Sequence, residues 1–180
     1  MLSSLSERGE VVEMAYVDTS IVIAYYFRED PNHGRAAKVI DMLKKENREM
    51  IISTLALIEL YSTLSRKSKE YALPPAISAI DDEKLKVHTI VNHIIKNIGL
   101  RIIDDEPQVE QINKTRLFHV YQRAVKYAVD LKLKTLDLLH IAYAILLANK
   151  GLVYMFTTLD NEIIAKGYSL EKLGLKLLYP

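Results

Sequence analysis

The side chains best suited to chemistry in this chain are four carboxylates, each set beside an apolar run. Asp18 stands in "MAYVDTSIVIAYYF" (Met14 to Phe27), Glu59 in "TLALIELYS", Asp137 in "LKTLDLLHIAYA" and Asp160 in "FTTLDNE". A lone carboxylate at the end of a buried strand is costly to desolvate. Several brought to one place repel each other and require either protonation or a cation. Oxygen donors without cysteine or a histidine cluster select hard divalent ions such as Mg2+ or Mn2+. One or two such ions, roughly 3.5–4 Å apart where there are two, suit in-line displacement at a phosphodiester. Nuclease chemistry is what these residues point to.

Each acid also has an ordinary structural reading. Asp137 follows Thr135, a residue suited to an N-cap, and an acid in the first turn complements the helix dipole. Asp160 suits the cap of a short helix over 161–165. Glu59 shares a stripe with Ser62, Thr63 and Arg66 that reads as a solvated helix face. Asp18 is the hardest to explain this way, because Thr19 or Ser20 would cap a following segment equally well.

The elements that must position these residues alternate. Strands are expected at 15–18, 49–54, 100–104, 152–158 and 175–179, and helices over 33–46, 54–70, 76–98, 117–131 and 136–151. Strand–helix alternation with short connections implies a parallel sheet covered by helices on both faces. In such a sheet the loops leaving the strands gather at one edge, where ligands bind. Asp18 and Asp160 follow the first and fourth strands. Glu59 lies early in the helix after the second strand, and Asp137 in the first turn of the helix leading into the fourth. Topology alone therefore carries all four to one crevice.

Composition narrows the classes further. The 180 residues suit one domain, and 49% apolar content argues against disorder. Lys plus Arg is 24 against 23 for Asp plus Glu, so net charge favours no partner. The absence of cysteine excludes disulfides, thiolate nucleophiles and Cys-ligated zinc. The apolar stretches fall short of the roughly 18 residues that span a bilayer. A soluble, cytoplasmic protein without a membrane partner is expected. "MLSSLSERGEVVE" lacks the apolar core of a signal peptide and reads as an N-terminal extension over 1–13, ahead of a single domain over 14–180. The region 74–118, with Pro74, Pro75 and Pro107, reads as a helical insertion.

With these residues in hand, the chain resembles the PIN domain family, in the style of VapC-type and other archaeal or bacterial members. "YVDTSIVIAYY", "STLALIELYS", "TLDLLHIAYA" and "FTTLDNE" carry the resemblance, in that order, over about residues 14–180. It implies a three-layer α/β/α sandwich with a mostly parallel sheet of about five strands, and an Mg2+- or Mn2+-dependent endoribonuclease. Asp18, Glu59, Asp137 and Asp160 would form the metal-binding catalytic quartet. Ser20 and Thr158 match the hydroxyl positions that support the first and last acids by hydrogen bonds, as groups behind metal ligands do. The resemblance further implies homodimers, and for many members a toxin role with a small antitoxin-like protein inhibitor. The long stretch between Glu59 and Asp137 departs from the compact toxin pattern.

Four basic side chains are candidates for gripping an RNA substrate: Arg28, Arg66, Lys134 and His140. His140 is three residues after Asp137 and shares its helix face. The better reading for it is a packed histidine beside the site, since a metal-activated water needs no separate base. Two other functions compete. One is a PIN-like module that binds RNA or protein without cutting. The other, a phosphotransferase of the haloacid dehalogenase type, requires a second Asp where Ser20 stands and is set aside.

Overall fold

In the computed structural model, residues 14–104, 108–112 and 114–180 are described; the expected extension over 1–13 lies outside them. The elements in chain order are β1 (Met14–Val17), α1 (Thr19–Tyr26), α2 (His33–Lys45), β2 (Glu49–Ser53), α3 (Thr54–Lys67), α4 (Pro75–Ser78) and α5 (Glu83–Ile98). They continue with β3 (Leu100–Ile103), β4 (Val109–Ile112), β5 (Thr115–Phe118), α6 (His119–Leu131), α7 (Thr135–Asn149), β6 (Val153–Thr157), α8 (Asn161–Ile164), α9 (Gly167–Lys172) and β7 (Lys176–Leu178).

Five strands form one sheet in the order β3-β2-β1-β6-β7, and every pairing in it is parallel. Strand periodicity divides the side chains between two cores. From β1, Ala15 and Val17 join α1, α2, α3 and α5 on one face. Met14 and Tyr16 join α6, α7 and Ile163 of α8 on the other. The result is the α/β/α sandwich expected from the alternation of elements. All five sheet strands fall where the sequence places them.

Three segments differ from the expectation. The apolar run after Asp18 is the helix α1, whose β-branched content reads ambiguously until packing on the sheet decides it. The helix expected over 76–98 is interrupted, because Asp82 caps α5 by accepting from Leu85 N at 2.8 Å. The start of the helix expected at 117 belongs instead to a hairpin, β4–β5. Its two-residue link places Lys114 at φ 69°, the sign that tight hairpins need.

Much of the expected insertion over 74–118 is built into the main layer. Val87, Ile90, Val91, Ile94 and Ile98 of α5 are all buried in the core shared with α1 and α3. Gly99, at φ 83°, ends α5 and turns the chain into edge strand β3.

The strand order creates the site's location. The chain runs outward from β1 to β2 to β3, then returns to β6 on the other side of β1. That reversal opens a crevice between the carboxyl ends of β1 and β6, the usual ligand position in such sheets. Asp18 and Thr158 flank it.

Candidate metal centre

Asp18 follows β1 directly and occupies the N-cap position of α1 without a side-chain capping bond. Its backbone is stitched into the sheet by Asp18 N donating to Thr157 O at 3.0 Å. Its side chain is buried, at 7% exposure. Two hydroxyls converge on one oxygen: Ser20 Oγ and Thr158 Oγ1 each donate to Asp18 Oδ2 at 2.7 Å. Thr158 Oγ1 also accepts from Asp160 N at 3.0 Å, and Ser20 Oγ from Leu159 N at 3.3 Å. Thus both hydroxyls singled out in the sequence serve Asp18, while clamping the turn after β6 against it.

Glu59 lies in the second turn of α3. The helix starts at the same sheet edge because Ser53, the last residue of β2, caps it by accepting from Ala56 N at 3.2 Å. Glu59 Oε2 accepts from Thr19 Oγ1 at 2.8 Å and meets His140 Nε2 at 2.6 Å. Burial alone would raise the Glu59 carboxyl. The hydrogen bond and charge of His140, with the Thr19 hydroxyl, outweigh it and hold the carboxyl below its usual value.

Among the described residues, Asp18, Glu59 and His140 each offer a metal-ligand atom, and these atoms all lie within 4.8 Å of one another. Of the four acids expected together, the structure gathers two in this group and adds the histidine. Asp137 and Asp160 stand around it. Burial, then the charges of Asp160 and Asp18, raise the Asp137 carboxyl above its ordinary value, partly opposed by Lys134 and His140. The acidic charges that act on Asp137 are ones a cation bound by oxygen ligands would relieve. The donor set therefore fits a hard divalent ion.

The capping roles also resolve. Asp160 does cap α8, with Oδ1 accepting from Glu162 N at 2.6 Å. Lys134, rather than Thr135, occupies the N-cap position of α7, with no side-chain capping bond. Asp137 sits in the first turn of α7, where it complements the helix dipole as well as facing the other acids.

The basic candidates separate. Lys134 is exposed and pairs with Glu162 at 2.8 Å; the Glu162 contact, with Asp160 and Asp137 behind it, raises its ammonium. It is the cation held next to the acids. Arg28 follows the far end of α1, so roughly 12 Å of helical rise separates it from Asp18. Arg66 is exposed in the last turn of α3, and its Nε donates to Ser62 O at 3.0 Å. About two helical turns of α3 lie between Glu59 and Arg66. His140 is buried at 2% exposure, with both ring nitrogens engaged inside the protein: Nε2 by Glu59 and Nδ1 by the Tyr16 hydroxyl at 2.8 Å.

Tyr16, Thr19 and Ser53 were not among the candidates. Tyr16 is fully buried and stacks on Phe156, with ring centroids 5.2 Å apart. Its hydroxyl lies 2.6 Å from Ser53 Oγ. The one sequence signal for it is its place on β1, two residues before the Asp18 that follows that strand.

Comparison with known proteins agrees with this fold. The model of the PIN domain family matches residues 15–165. Among solved structures, the chain is similar to Mycobacterium tuberculosis VapC20, described as a toxin that cleaves the sarcin–ricin loop. The TM-score is 0.53 at 16% identity, covering 85% of this chain and 95% of that one. It is also similar to VapBC2 from Rickettsia felis bound to a DNA fragment from its promoter, with a TM-score of 0.52 at 14% identity, covering 92% and 97%. No curated protein matches the chain.

Proposed function

The chain belongs to the PIN domain family, and from that premise we propose that it is a divalent-metal-dependent endoribonuclease acting in the cytoplasm. The observation that carries the reading is the buried Asp18 carboxylate at the β1–β6 crevice, fixed by two hydroxyls and set beside Glu59. Asp18 and Glu59 would hold Mg2+ or Mn2+, with Asp137 and Asp160 completing the quartet from the opposite side of the crevice. A cation held there supplies activation of water and neutralises charge on the departing oxygen of a phosphodiester. Ser20 and Thr158 keep Asp18 oriented. Thr158 also ties the Asp160 backbone to that carboxylate, so the two strand ends hold one spacing. Lys134 offers a phosphate contact at the rim once Glu162 releases it.

The VapC20 neighbour is named as a toxin that cleaves the sarcin–ricin loop, and this supports RNA as the substrate and a toxin role. A small antitoxin-like protein partner is part of the same proposal. A homodimer is part of the proposal. It is supported by an exposed apolar row on α6 formed by Tyr121, Val125 and Val129, one helical turn apart.

The test is cleavage of a panel of labelled RNAs in Mn2+, Mg2+ and EDTA, beside Asp18→Asn and Asp137→Asn. Metal-dependent cutting by the wild type alone is the expected result. One observation favours the rival, a non-catalytic binding module: Glu59 already has a protein counter-charge in His140. RNA binding that is indifferent to metal, with no cutting, would establish that rival.

A further inference from the structure

The buried polar chain behind the crevice is more than packing. It runs from Ser53 at the end of β2, through Tyr16 on β1, to His140 on α7, and ends on Glu59 in α3. It joins two adjacent strands and two helices on opposite faces of the sheet, and its far end is a carboxylate at the metal centre. We propose that His140 is a positioning residue that fixes the Glu59 carboxylate for the cation, with Tyr16 and Ser53 setting the direction of its hydrogen bond. This rests on the metal-dependent reading above and names how that site is held.

The direction of the bonds follows from their donors. Ser53 Oγ accepts from Ala56 N and donates its own proton to the Tyr16 oxygen. Tyr16 then donates to His140 Nδ1, which places the ring proton on Nε2, facing Glu59. A doubly protonated ring reverses the Tyr16 and Ser53 bonds but leaves Nε2–H on Glu59. In either case the atom facing the carboxylate is a donor, so the imidazole orients Glu59 and does not itself present a lone pair to the cation. Thr19 Oγ1 donates to the same oxygen, Oε2. With Oε2 held twice, Oε1 becomes the oxygen given to the cation, and the carboxylate loses its freedom to swing. Groups behind metal ligands commonly act in this way.

The test is Mn2+ binding to the purified full chain without RNA, followed by the loss of the free-ion EPR signal, with folding checked by circular dichroism in EDTA. Three substitutions at one position separate the roles. His140→Leu removes both bonds. His140→Asn carries its amide near the Nδ1 position and reaches Tyr16 but not Glu59. His140→Gln carries its amide near the Nε2 position and restores a donor to Glu59. Leu and Asn are expected to weaken Mn2+ binding by about 10–100-fold, while Gln stays close to wild type. Tyr16→Phe, which keeps the stack on Phe156, gives a smaller loss. Should His140→Leu fail to fold, the Asn–Gln contrast and Tyr16→Phe carry the comparison.

Three results would overturn the proposal. Wild-type affinity in His140→Leu or His140→Asn would show that Glu59 needs no positioning, leaving the nuclease reading intact. Directly coordinated 14N in the electron spin-echo spectrum of bound Mn2+ would make His140 a ligand instead. No Mn2+ binding by the wild type would remove this inference and the metal-dependent reading together.

Discussion

Replacing Thr158 by Val tests the core of the site with almost no change in shape. The Thr158 side chain is fully buried, so the new methyl occupies the space of the hydroxyl and opens no cavity. Two bonds disappear. The one to Asp18 Oδ2, at 2.7 Å, reaches a buried carboxylate, and bonds to charged groups contribute about 1.5–3 kcal/mol. The other, from Asp160 N at 3.0 Å, is neutral and contributes about 0.5–1.5 kcal/mol. Asp18 keeps its bond from Ser20, so the loss stays near the sum of these two, about 2–4.5 kcal/mol. At roughly 2–4 °C per kcal/mol for a domain of this size, Tm falls by about 4–18 °C. Thr158→Ser keeps the hydroxyl and gives up one methyl group, about 0.8 kcal/mol. Urea denaturation of the three proteins in EDTA measures this directly. A Thr158→Val protein within about 0.5 kcal/mol of wild type, the range of a neutral surface change, would refute the clamp. Equal damage from Ser and Val would assign the effect to the methyl instead.

Other outcomes follow from the same geometry. Asp137→Asn abolishes RNA cleavage yet stabilises the metal-free fold at neutral pH, read by Tm in EDTA. Burial and then the charges of Asp160 and Asp18 raise the folded Asp137 carboxyl. The folded state therefore binds the extra proton, and stability falls as pH rises from the unfolded value, about 3.9, through the folded one. The gain from Asn is thus complete above that window and vanishes below it; a neutral-pH loss of Tm would make Asp137 structural. Mn2+ at 100 times its Kd adds about 2.7 kcal/mol to the folded state, hence roughly 5–11 °C in a thermal shift assay, and a flat response at millimolar Mn2+ would count against the centre. If α6 forms the dimer contact, Val125→Glu with Val129→Glu converts a dimer to a monomer in size-exclusion chromatography with light scattering, with the fold retained by circular dichroism. An unchanged elution would remove that face from the proposal.

How much of this was legible in the sequence depends on the range of the interaction concerned. Strand positions were legible because each is a short apolar run bounded by turn residues. The convergence of the acids on one edge followed from strand–helix order, before any side chain was placed. Leu117 and Phe118 also fit the periodicity of α6, and only pairing with Glu110 and Val109 makes them strand. Arg28 is close to Asp18 along the chain, and the eight-residue helix α1 lies between them.

The sequence by itself determined the layers, the crevice and the residues that reach its edge, since these follow from local periodicity and the order of elements. Only the tertiary structure decided which of those residues touch. Thr158 reaches Asp18 across 140 residues of chain, Tyr16 reaches His140 across 124, and His140 reaches Glu59 across 81. Each bond requires two separately built elements to fix their rotamers against different cores, and a hydrogen bond forms only within a few tenths of an ångström and a narrow range of angles. No spacing along the chain encodes that. The packing of α7 against β1 therefore decides that His140 turns inward to Tyr16 and Glu59 instead of outward to a substrate.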